Sequence, residues 1–136
     1  VSETVDVVAN ALILDTNALS ALFAGDEALS SLLAGQQRLH LPVIVIGECR
    51  YGLARSRHRK ALHQLLETLI ASSTVLLIDA DTATTYAEVR AELRSKGKPI
   101  PENDLWIAAL ARQHELPVVS RDEHFDFIAR LVRLGW

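Results

Sequence analysis

The sequence has little cysteine and no long apolar run, and each absence excludes a class of protein. Its 136 residues include one cysteine, Cys49, which excludes an internal disulfide framework and a cysteine-based zinc site. No apolar stretch approaches the roughly 20 residues that a membrane-spanning helix needs. Val1 to Asn10 contain no basic residue, so they do not have the pattern of a signal peptide. We therefore expect a protein of the reducing cytoplasm.

Several common catalytic signatures are also missing. The five histidines form no H-E-x-x-H pair, and the chain contains no G-x-S-x-G, P-loop or G-x-G-x-x-G segment. Hydrophobic residues, by contrast, make up 49% of the chain, which is enough for a packed core. Length and composition together predict a single domain over residues 1–136.

Charge is unevenly distributed along the chain. The formal net charge is −3, which by itself argues weakly against nucleic-acid binding. Nine of the 14 basic residues nevertheless fall in two short segments. These segments form either solvated helix faces or a basic rim that attracts phosphate. The first comprises Arg50, Arg55, Arg57, Arg59 and Lys60, and the second comprises Arg90, Arg94, Lys96 and Lys98.

Short apolar runs alternate with segments of helical periodicity. The runs are typical of buried strands, and the alternation predicts an α/β domain with a mainly parallel sheet covered on both faces. We expect helix N-caps at Asp81 or Thr82 and at Asn103. The predicted strands are Ala11–Leu14, Leu39–Leu41, Thr74–Ile78, Pro117–Ser120 and Leu131–Leu134.

Four acidic residues stand where a parallel sheet would bring them together. Asp15 directly follows the first predicted strand and Asp122 follows the fourth, and ligands of open α/β sheets bind beyond the carboxyl ends of the strands. Asp104 falls in the first turn of an apolar helix, and Glu48 lies in the helix that Pro42 opens. Each acid taken alone is also explained as a helix cap, a favourable charge at a helix N-terminus or an exposed, ion-paired side chain.

Taken together, the four carboxylates predict a metal site. If they converge they cannot all stay ionised without a cation, and oxygen ligands without a histidine or cysteine partner favour Mg²⁺ or Mn²⁺. Asp15 and Asp122 suffice as direct ligands of one ion, whereas a two-ion site would use all four acids. Thr16, Asn17 and Ser120 either orient a ligand or are ordinary cap and turn residues.

Four segments of the chain carry a resemblance to a known family. They are Leu12–Asn17, Glu48–Ser56, Asn103–Ala109 and Val119–Phe125. In this order and at these spacings they resemble the PIN domain and, more narrowly, VapC-type toxins of bacterial type II toxin–antitoxin pairs. The resemblance extends over nearly the whole chain, from about Ala11 to Arg133.

The resemblance implies a fold, an activity and partners. The fold is a three-layer α/β/α sandwich, usually homodimeric. The activity is that of a Mg²⁺- or Mn²⁺-dependent endoribonuclease that hydrolyses RNA phosphodiester bonds with a metal-activated water. The partner is a small antitoxin that wraps the toxin and blocks the acidic site. Asp15, Glu48, Asp104 and Asp122 fall on the family's acidic positions, and Thr16, Asn17 and Ser120 fall on its accompanying polar positions.

Three positions around the glutamate refine this comparison. Gly47 departs from the pattern, since many relatives place a serine before this glutamate, whereas Gly52 and Arg55 match the usual residues. Given this resemblance, we favour the interpretation of the first basic segment as a contact surface for RNA or antitoxin. That prediction covers Arg50, Arg55, Arg57, Arg59 and Lys60.

Three other functions compete with this interpretation. A phosphohydrolase with an aspartate nucleophile usually needs a second aspartate two residues on, where this chain has Asn17. A phospho-receiver-like signalling module would need a paired acid at the first strand and a late lysine, but no lysine follows Lys98. The third alternative is a PIN-like fold kept for binding alone, and only an assay separates it from a nuclease.

Overall fold

A five-stranded parallel sheet lies at the centre of the protein. The computed structural model describes residues 11–35 and 38–136, so the expectation for Val1–Asn10 lies outside the described residues. The strands are arranged in the order β3-β2-β1-β4-β5, and every neighbouring pair is parallel. The predicted α/β fold is therefore confirmed. The strands are β1 (Ala11–Leu14), β2 (Arg38–Pro42), β3 (Thr74–Leu76), β4 (Val118–Val119) and β5 (Arg133–Leu134).

At least one helix lies between each pair of consecutive strands in the described residues. A short 3₁₀ helix, Glu123–Phe127, follows β4. Of the helices in residues 11–35 and 38–136, none combines the length and the apolar character needed to cross a membrane. The α-helices are α1 (Thr16–Phe23), α2 (Glu27–Leu33), α3 (Val43–Leu53), α4 (Arg59–Ser72), α5 (Ala80–Lys96) and α6 (Glu102–His114).

The burial of consecutive strand residues shows that both faces of the sheet are covered. Successive side chains of a strand point to opposite faces. Leu12, Ile13 and Leu14 of β1 and Val118 and Val119 of β4 are nevertheless all fully buried. A strand buried on both faces requires a layer on each side of the sheet. This is the three-layer α/β/α arrangement that the resemblance implies.

The helix α6 is the apolar, central helix that the sequence predicts. Ile107, Ala108, Ala109 and Leu110 are fully buried, so the helix is covered almost all round. It packs along much of the length of α5. Because its first turn stands at the carboxyl edge of the sheet, a buried helix fixes the position of Asp104.

The start of α5 differs from the predicted one. The cap is Asp79 rather than Asp81 or Thr82. Its carboxylate accepts a hydrogen bond from the Thr82 backbone N–H at 2.9 Å, and its own N–H donates to the Thr82 hydroxyl at 3.1 Å. This reciprocal capping box satisfies two backbone donors at once, and so the helix begins earlier in the chain.

The start of α6 also differs, because Asn103 is not its cap. The helix begins at Glu102, and the carbonyl of Pro101 accepts the first helical hydrogen bond from the Leu105 N–H at 3.1 Å. Asn103 therefore lies inside the first turn. Its side chain is free to line the cleft described below.

Three predicted strands are shorter in the structure. The strand β3 ends at Leu76 rather than Ile78, and β5 begins at Arg133 rather than Leu131. The strand β4 comprises Val118–Val119 rather than Pro117–Ser120. The last residue of β2, Pro42, is the partner of Leu76, and the chain then turns into α3. Beyond this point β3 has no strand of the described chain to pair with on that side, and Leu77 is 66% exposed.

The order of the strands creates a crevice between β1 and β4. The chain places β2 and β3 successively on one side of β1 and then returns to place β4 on the other side. In open α/β sheets this reversal leaves a gap beyond the carboxyl ends of the two strands, where ligands bind. Asp15 follows β1 and Ser120 follows β4, so the fold brings both residues to this gap.

Two adjacent leucines of α4 test how firmly this helix belongs to the core. Leu66 is fully buried, whereas Leu65 is 48% exposed. We expect Leu66→Ala to lower the free energy of unfolding by about 2–5 kcal/mol, because it leaves a cavity. We expect Leu65→Ala, the matched control, to lower it by less than about 1 kcal/mol. Urea denaturation measures both, and equal losses would contradict this placement of α4.

Candidate active site

Asp15 is the most buried of the four predicted acids. It is only 2% exposed and stands between β1 and α1. One carboxylate oxygen accepts a hydrogen bond from the Thr16 N–H at 2.8 Å, so Asp15 does cap the helix. The other oxygen accepts one from the Ser120 hydroxyl at 2.7 Å. The capping role and the role in a polar cluster are thus combined in one side chain.

Asn17 and Ser120 connect Asp15 to Asp122. The fully buried Ser120 hydroxyl accepts a hydrogen bond from the Asp122 N–H at 3.0 Å. The Asn17 amide donates to the Asp122 carboxylate at 3.1 Å, and its oxygen accepts from the Arg121 N–H at 3.2 Å. Asp122 makes no side-chain cap with the 3₁₀ helix that follows. Its carboxylate therefore belongs to the cluster and not to a helix end.

Glu48 is brought to the same place by α3. Its carboxylate accepts a hydrogen bond from the Thr16 hydroxyl at 2.8 Å. Arg50, which stands two residues later in α3, is engaged elsewhere, since its guanidinium lies 2.6 Å from the Glu67 carboxylate. Glu48 is thus a half-buried residue of the cluster rather than an exposed, ion-paired one.

Asp104 comes from the first turn of α6 and has an unexpected neighbour. The Nε2 atom of His124 lies 2.8 Å from a carboxylate oxygen of Asp104, and both side chains are mostly buried. Three potential ligand atoms, one each from Asp104, Asp122 and His124, lie within 4.8 Å of one another. The expectation that no histidine accompanies the carboxylates is therefore wrong.

The four acids line one open cavity, which we call the acidic cleft. Its volume is about 680 Å³. The structure thus brings Asp15, Glu48, Asp104 and Asp122 together, as the sequence predicts. Besides these acids, the lining includes Thr16, Asn17, Ser20, Pro101, Glu102 and Asn103.

The electrostatics of the cleft disfavour full ionisation. Burial raises the pKa of Asp15; hydrogen bonds from Ser120 and Thr16 lower it, and the charges of Asp122 and Glu48 raise it again. Burial is also the main cause that raises the pKa of Asp104 to about 6, with further increases from Asp15 and Asp122 and a decrease from His124. Burial and like charge thus both act against full ionisation of the cleft.

The predicted basic contact residues lie outside the acidic cleft. Arg50, Arg59 and Lys60 line a separate cavity of about 610 Å³ between α3 and α4. Arg55 and Arg57 are exposed in the turn that joins the same two helices. The first basic segment is therefore a flank of the protein and not a wall of the site.

His124 is the site residue that reasoning from the sequence missed. No second histidine stands at metal-binding spacing from it, so its sequence context does not indicate a site. The available signal was its position two residues after Asp122, in the turn that leaves β4. Its contact with Asp104, 20 residues away in the chain, depends on how α6 packs against that turn.

Comparison with known families agrees with this architecture. The profile of the PIN domain family matches residues 12–131. The chain belongs to the PIN domain family. This PIN domain thus includes all four acids of the cleft, together with Thr16, Asn17 and Ser120.

Individual relatives of this PIN domain carry VapC names. Ribonuclease VapC5 of Mycobacterium tuberculosis is 32% identical over 115 residues, which cover 83% of this chain and 84% of the relative. The crystal structure of VapBC2 from Rickettsia felis, bound to a DNA fragment from its promoter, matches with a TM-score of 0.82 at 26% identity, covering 93% of this chain and 98% of that one. VapBC-5 from Mycobacterium tuberculosis, described as a member of a family of toxin–antitoxin systems, matches with a TM-score of 0.72 at 29% identity, covering 93% and 99%.

The raised pKa of Asp104 predicts a pH-dependent stability in metal-free buffer. The folded carboxyl titrates near pH 6 and the unfolded one near 3.8, so the folded state binds more protons between these values. The resulting stabilisation is present at low pH and is lost as the pH rises through about 6. We expect Asp104→Asn to be more stable than wild type at pH 7 with EDTA, by at most about 3 kcal/mol.

Urea denaturation at pH 5 and pH 7 measures this effect. The difference between wild type and Asp104→Asn should be larger at pH 7 than at pH 5. Glu88→Gln, which neutralises an exposed acid on α5, is the control and should leave the pH profile unchanged. A variant that is less stable than wild type at pH 7 would contradict the prediction.

Proposed function

We propose that this PIN-domain protein is a Mg²⁺- or Mn²⁺-dependent endoribonuclease, the toxin component of a type II toxin–antitoxin pair. The observation that carries the proposal is the convergence of four carboxylates in a single open cleft. Two follow the carboxyl ends of strands, one lies in the first turn of α6 and one comes from α3. The names of the relatives, which include ribonucleases and a tRNA(fMet)-specific endonuclease, support RNA as the substrate.

The donor set of the acidic cleft fits a hard divalent cation. Carboxylate oxygens are the ligands that Mg²⁺ and Mn²⁺ prefer. An ion would offset the burial and, after it, the repulsion between acids that raise the pKa of Asp15 and Asp104. When bound, the ion would supply charge stabilisation at the scissile phosphate and activation of a water molecule. The residues that we propose hold it are Asp15, Glu48, Asp104 and Asp122.

The neutral side chains position these acids. Ser120 and the Thr16 N–H fix both oxygens of Asp15, and Asn17 holds Asp122. The Thr16 hydroxyl holds Glu48 in the same way. Such hydrogen bonds keep the carboxylates oriented, so that little reorganisation is needed when substrate and ion arrive.

His124 adds a nitrogen to an otherwise oxygen-rich site. Its Nε2 lies close enough to Asp104 to orient that carboxylate toward the cleft. An imidazole among carboxylates also favours Mn²⁺ more than an all-oxygen site would. We therefore include His124 among the positioning residues of the proposed site.

An antitoxin partner is part of the proposal. An apolar groove of about 530 Å³ adjoins the acidic cleft and shares Thr16, Ser20 and Glu48 with it. Phe23 and Leu62 contribute to this groove. A protein segment that fills it with apolar side chains would reach the carboxylates directly, which is how a partner would block the site.

Three further parts of the proposal rest on the sequence. The family resemblance implies a homodimeric assembly, and the single cysteine favours a cytoplasmic location. The charge pattern favours contact with RNA or antitoxin through Arg50, Arg55, Arg57, Arg59 and Lys60. Arg50 is already paired with Glu67, so its contact with a partner would require that pair to open.

Substitution of Asp15 tests the activity itself. We expect Asp15→Asn to reduce cleavage of single-stranded RNA by more than about 100-fold, because charge stabilisation by a metal ion supplies several kcal/mol. EDTA should have the same effect on wild type. Mapping of RNA 5′ ends after expression of each protein identifies the target as well.

The matched control for this experiment is Asp81→Asn. It makes the same chemical change on the exposed side of α5, far along the chain from the cluster. It should cleave RNA as wild type does. Equal cleavage by wild type and Asp15→Asn, in samples purified to the same standard, would overturn the mechanism.

Thermal unfolding tests metal binding without reference to activity. We expect Mn²⁺ at about 100 times its Kd to stabilise wild type by about 2.7 kcal/mol, with a corresponding rise in melting temperature. The rise should be much smaller for Asp104→Asn and unchanged for Asp81→Asn. If neither Mg²⁺ nor Mn²⁺ changes the melting temperature of the wild-type protein, the proposed metal site is contradicted.

A further inference from the structure

A second cavity, which we call the Arg94 groove, opens next to the acidic cleft. Its volume is about 400 Å³. The end of α5, the start of α6 and the loop between them form it. The residues around it include Arg90, Leu93, Arg94, Ile100, Glu102 and Leu105.

The Arg94 groove is contiguous with the acidic cleft. Glu102 lines both cavities, and the two residues that follow it, Asn103 and Asp104, line the cleft. Among the described residues, the acidic cleft and the Arg94 groove therefore meet at the first turn of α6. A strand of RNA lying over the cleft would reach the groove with a neighbouring nucleotide.

The floor of the Arg94 groove is apolar. Leu93 and Leu105 are almost fully buried at 1% and 5% exposure, and Ile100 is half-buried. Small-molecule sites combine such an apolar floor with a few well-placed polar groups. A nucleobase has an apolar face of suitable size for this floor, and binding through that face tolerates different bases.

The two arginines of the groove differ in their availability. Arg90 is already engaged in contacts within the protein. Its guanidinium lies 3.2 Å from the Glu102 carboxylate and donates a hydrogen bond to the Tyr86 hydroxyl at 2.6 Å. The Tyr86 ring is stacked on Trp106, with 3.9 Å between the ring centroids. Arg94 stands one turn later on α5 and is exposed. It makes no ion pair within residues 11–35 and 38–136. Its charge is therefore available to a phosphate.

The other basic flank is separated from the acidic cleft. Arg50 is neutralised by Glu67, whereas Arg55, Arg57, Arg59 and Lys60 make no ion pair within the described residues. Between this flank and the cleft lies the apolar groove with Phe23 and Leu62, and an RNA backbone gains little from crossing an apolar surface, since its affinity comes mainly from phosphate contacts. The Arg94 groove offers its cation directly beside the cleft.

We propose that the Arg94 groove is a substrate subsite that binds the nucleotide next to the scissile phosphate. Arg94 contacts the phosphate of that nucleotide, and its base lies on Leu93, Ile100 and Leu105. The proposal rests on the proposed ribonuclease function, and it adds a side of the cleft from which RNA is recognised. Selection of the cleavage position then depends on this neighbouring nucleotide as well as on the acidic cleft.

Binding and cleavage of a fluorescein-labelled single-stranded RNA test the subsite. Binding is measured by fluorescence anisotropy with Mg²⁺ at several salt concentrations, using proteins that also carry Asp15→Asn so that the RNA stays intact. Cleavage is measured with the same substitutions in the otherwise wild-type protein. The variants are Arg94→Gln, Arg94→Lys and Arg38→Gln. Arg38 is an exposed residue at the amino end of β2, the opposite end of the strand from the cleft.

We expect Arg94→Gln to weaken RNA binding about 10-fold and to raise KM to a similar extent with kcat nearly unchanged, because one charged hydrogen bond is lost. The slope of log Kd against log salt should become shallower by about 0.7, the value for one phosphate contact on a single strand. Arg94→Lys should recover most of the affinity. Arg38→Gln should match wild type in every measurement.

Abasic nucleotides test the floor of the groove. RNAs that lack one base, scanned along the strand, should reveal a position next to the scissile phosphate where the loss raises KM several-fold for wild type. Ile100→Ala should raise KM for intact RNA and should remove the effect of the missing base at that position. A base effect that Ile100→Ala leaves unchanged would contradict the placement of the base.

The remaining outcomes separate the subsite from other functions of the same surface. Unchanged RNA binding and an unchanged salt slope in Arg94→Gln would overturn the subsite. This holds even if the substitution disrupts a dimer, as measured by light scattering, or weakens antitoxin binding, because the groove would then serve a protein partner and not RNA. If wild type binds RNA through Arg94 but does not cleave it, the subsite stands and the proposed ribonuclease function fails. If wild type neither binds nor cleaves RNA, both fail.

Discussion

Leu14 and Val119, the last paired residues of β1 and β4, are partners across the sheet, and the cleft depends on this register. The next residues, Asp15 and Ser120, leave the sheet side by side, and the Ser120 hydroxyl then reaches the Asp15 carboxylate at 2.7 Å. Since β4 has two residues, few backbone hydrogen bonds fix this register, and the complete burial of Val119 must supply the rest. A shift of β4 by one residue would also move Ser120 away from Asp15 and break the hydrogen bond between them, so this contact helps to hold the register that assembles the site.

This register concentrates negative charge, because it brings several carboxylates into one cleft. Asp15 and Asp104 both have raised pKa values, with burial as the first cause and neighbouring acids as a further one. Three neutral donors, on Thr16, Asn17 and Ser120, offset part of the repulsion, but none of them carries a charge. The apo protein is therefore less stable near neutral pH than the same fold would be without the cluster. A cation that relieves this repulsion gains binding free energy from it, so the instability and the proposed metal affinity have one origin.

Local sequence signals predict most of this molecule, and long-range packing accounts for the remainder. Asp15 and Asp122 follow apolar runs directly, and their meeting needs only the rule that parallel strands end at one edge. Asp79 was missed as a cap because Asp81 and Thr82 offer equally good local chemistry, and the choice depends on the reciprocal bond with Thr82. The contact of His124 with Asp104 joins two elements that carry no common pattern, so no periodicity or spacing could reveal it. The four acids and their neutral neighbours Thr16, Asn17 and Ser120 were predictable as a set, whereas His124, the neighbour of Asp104, was not.

Basic residues that look equivalent in the sequence differ in the charge that they offer to a partner. Arg50 and Arg94 each stand in a dense basic segment, and counting favours the first, which has five members against four. Arg50 nevertheless lies 2.6 Å from Glu67, while Arg94 has no ion pair in the part of the chain that the structure describes. A paired surface arginine attracts phosphate weakly, because the opposite charge of its partner cancels most of its field at distances longer than the separation of the pair. For a protein of net charge −3 that must bring a polyanion to an acidic cleft, the few unpaired cations beside that cleft therefore matter more than the total number of basic residues.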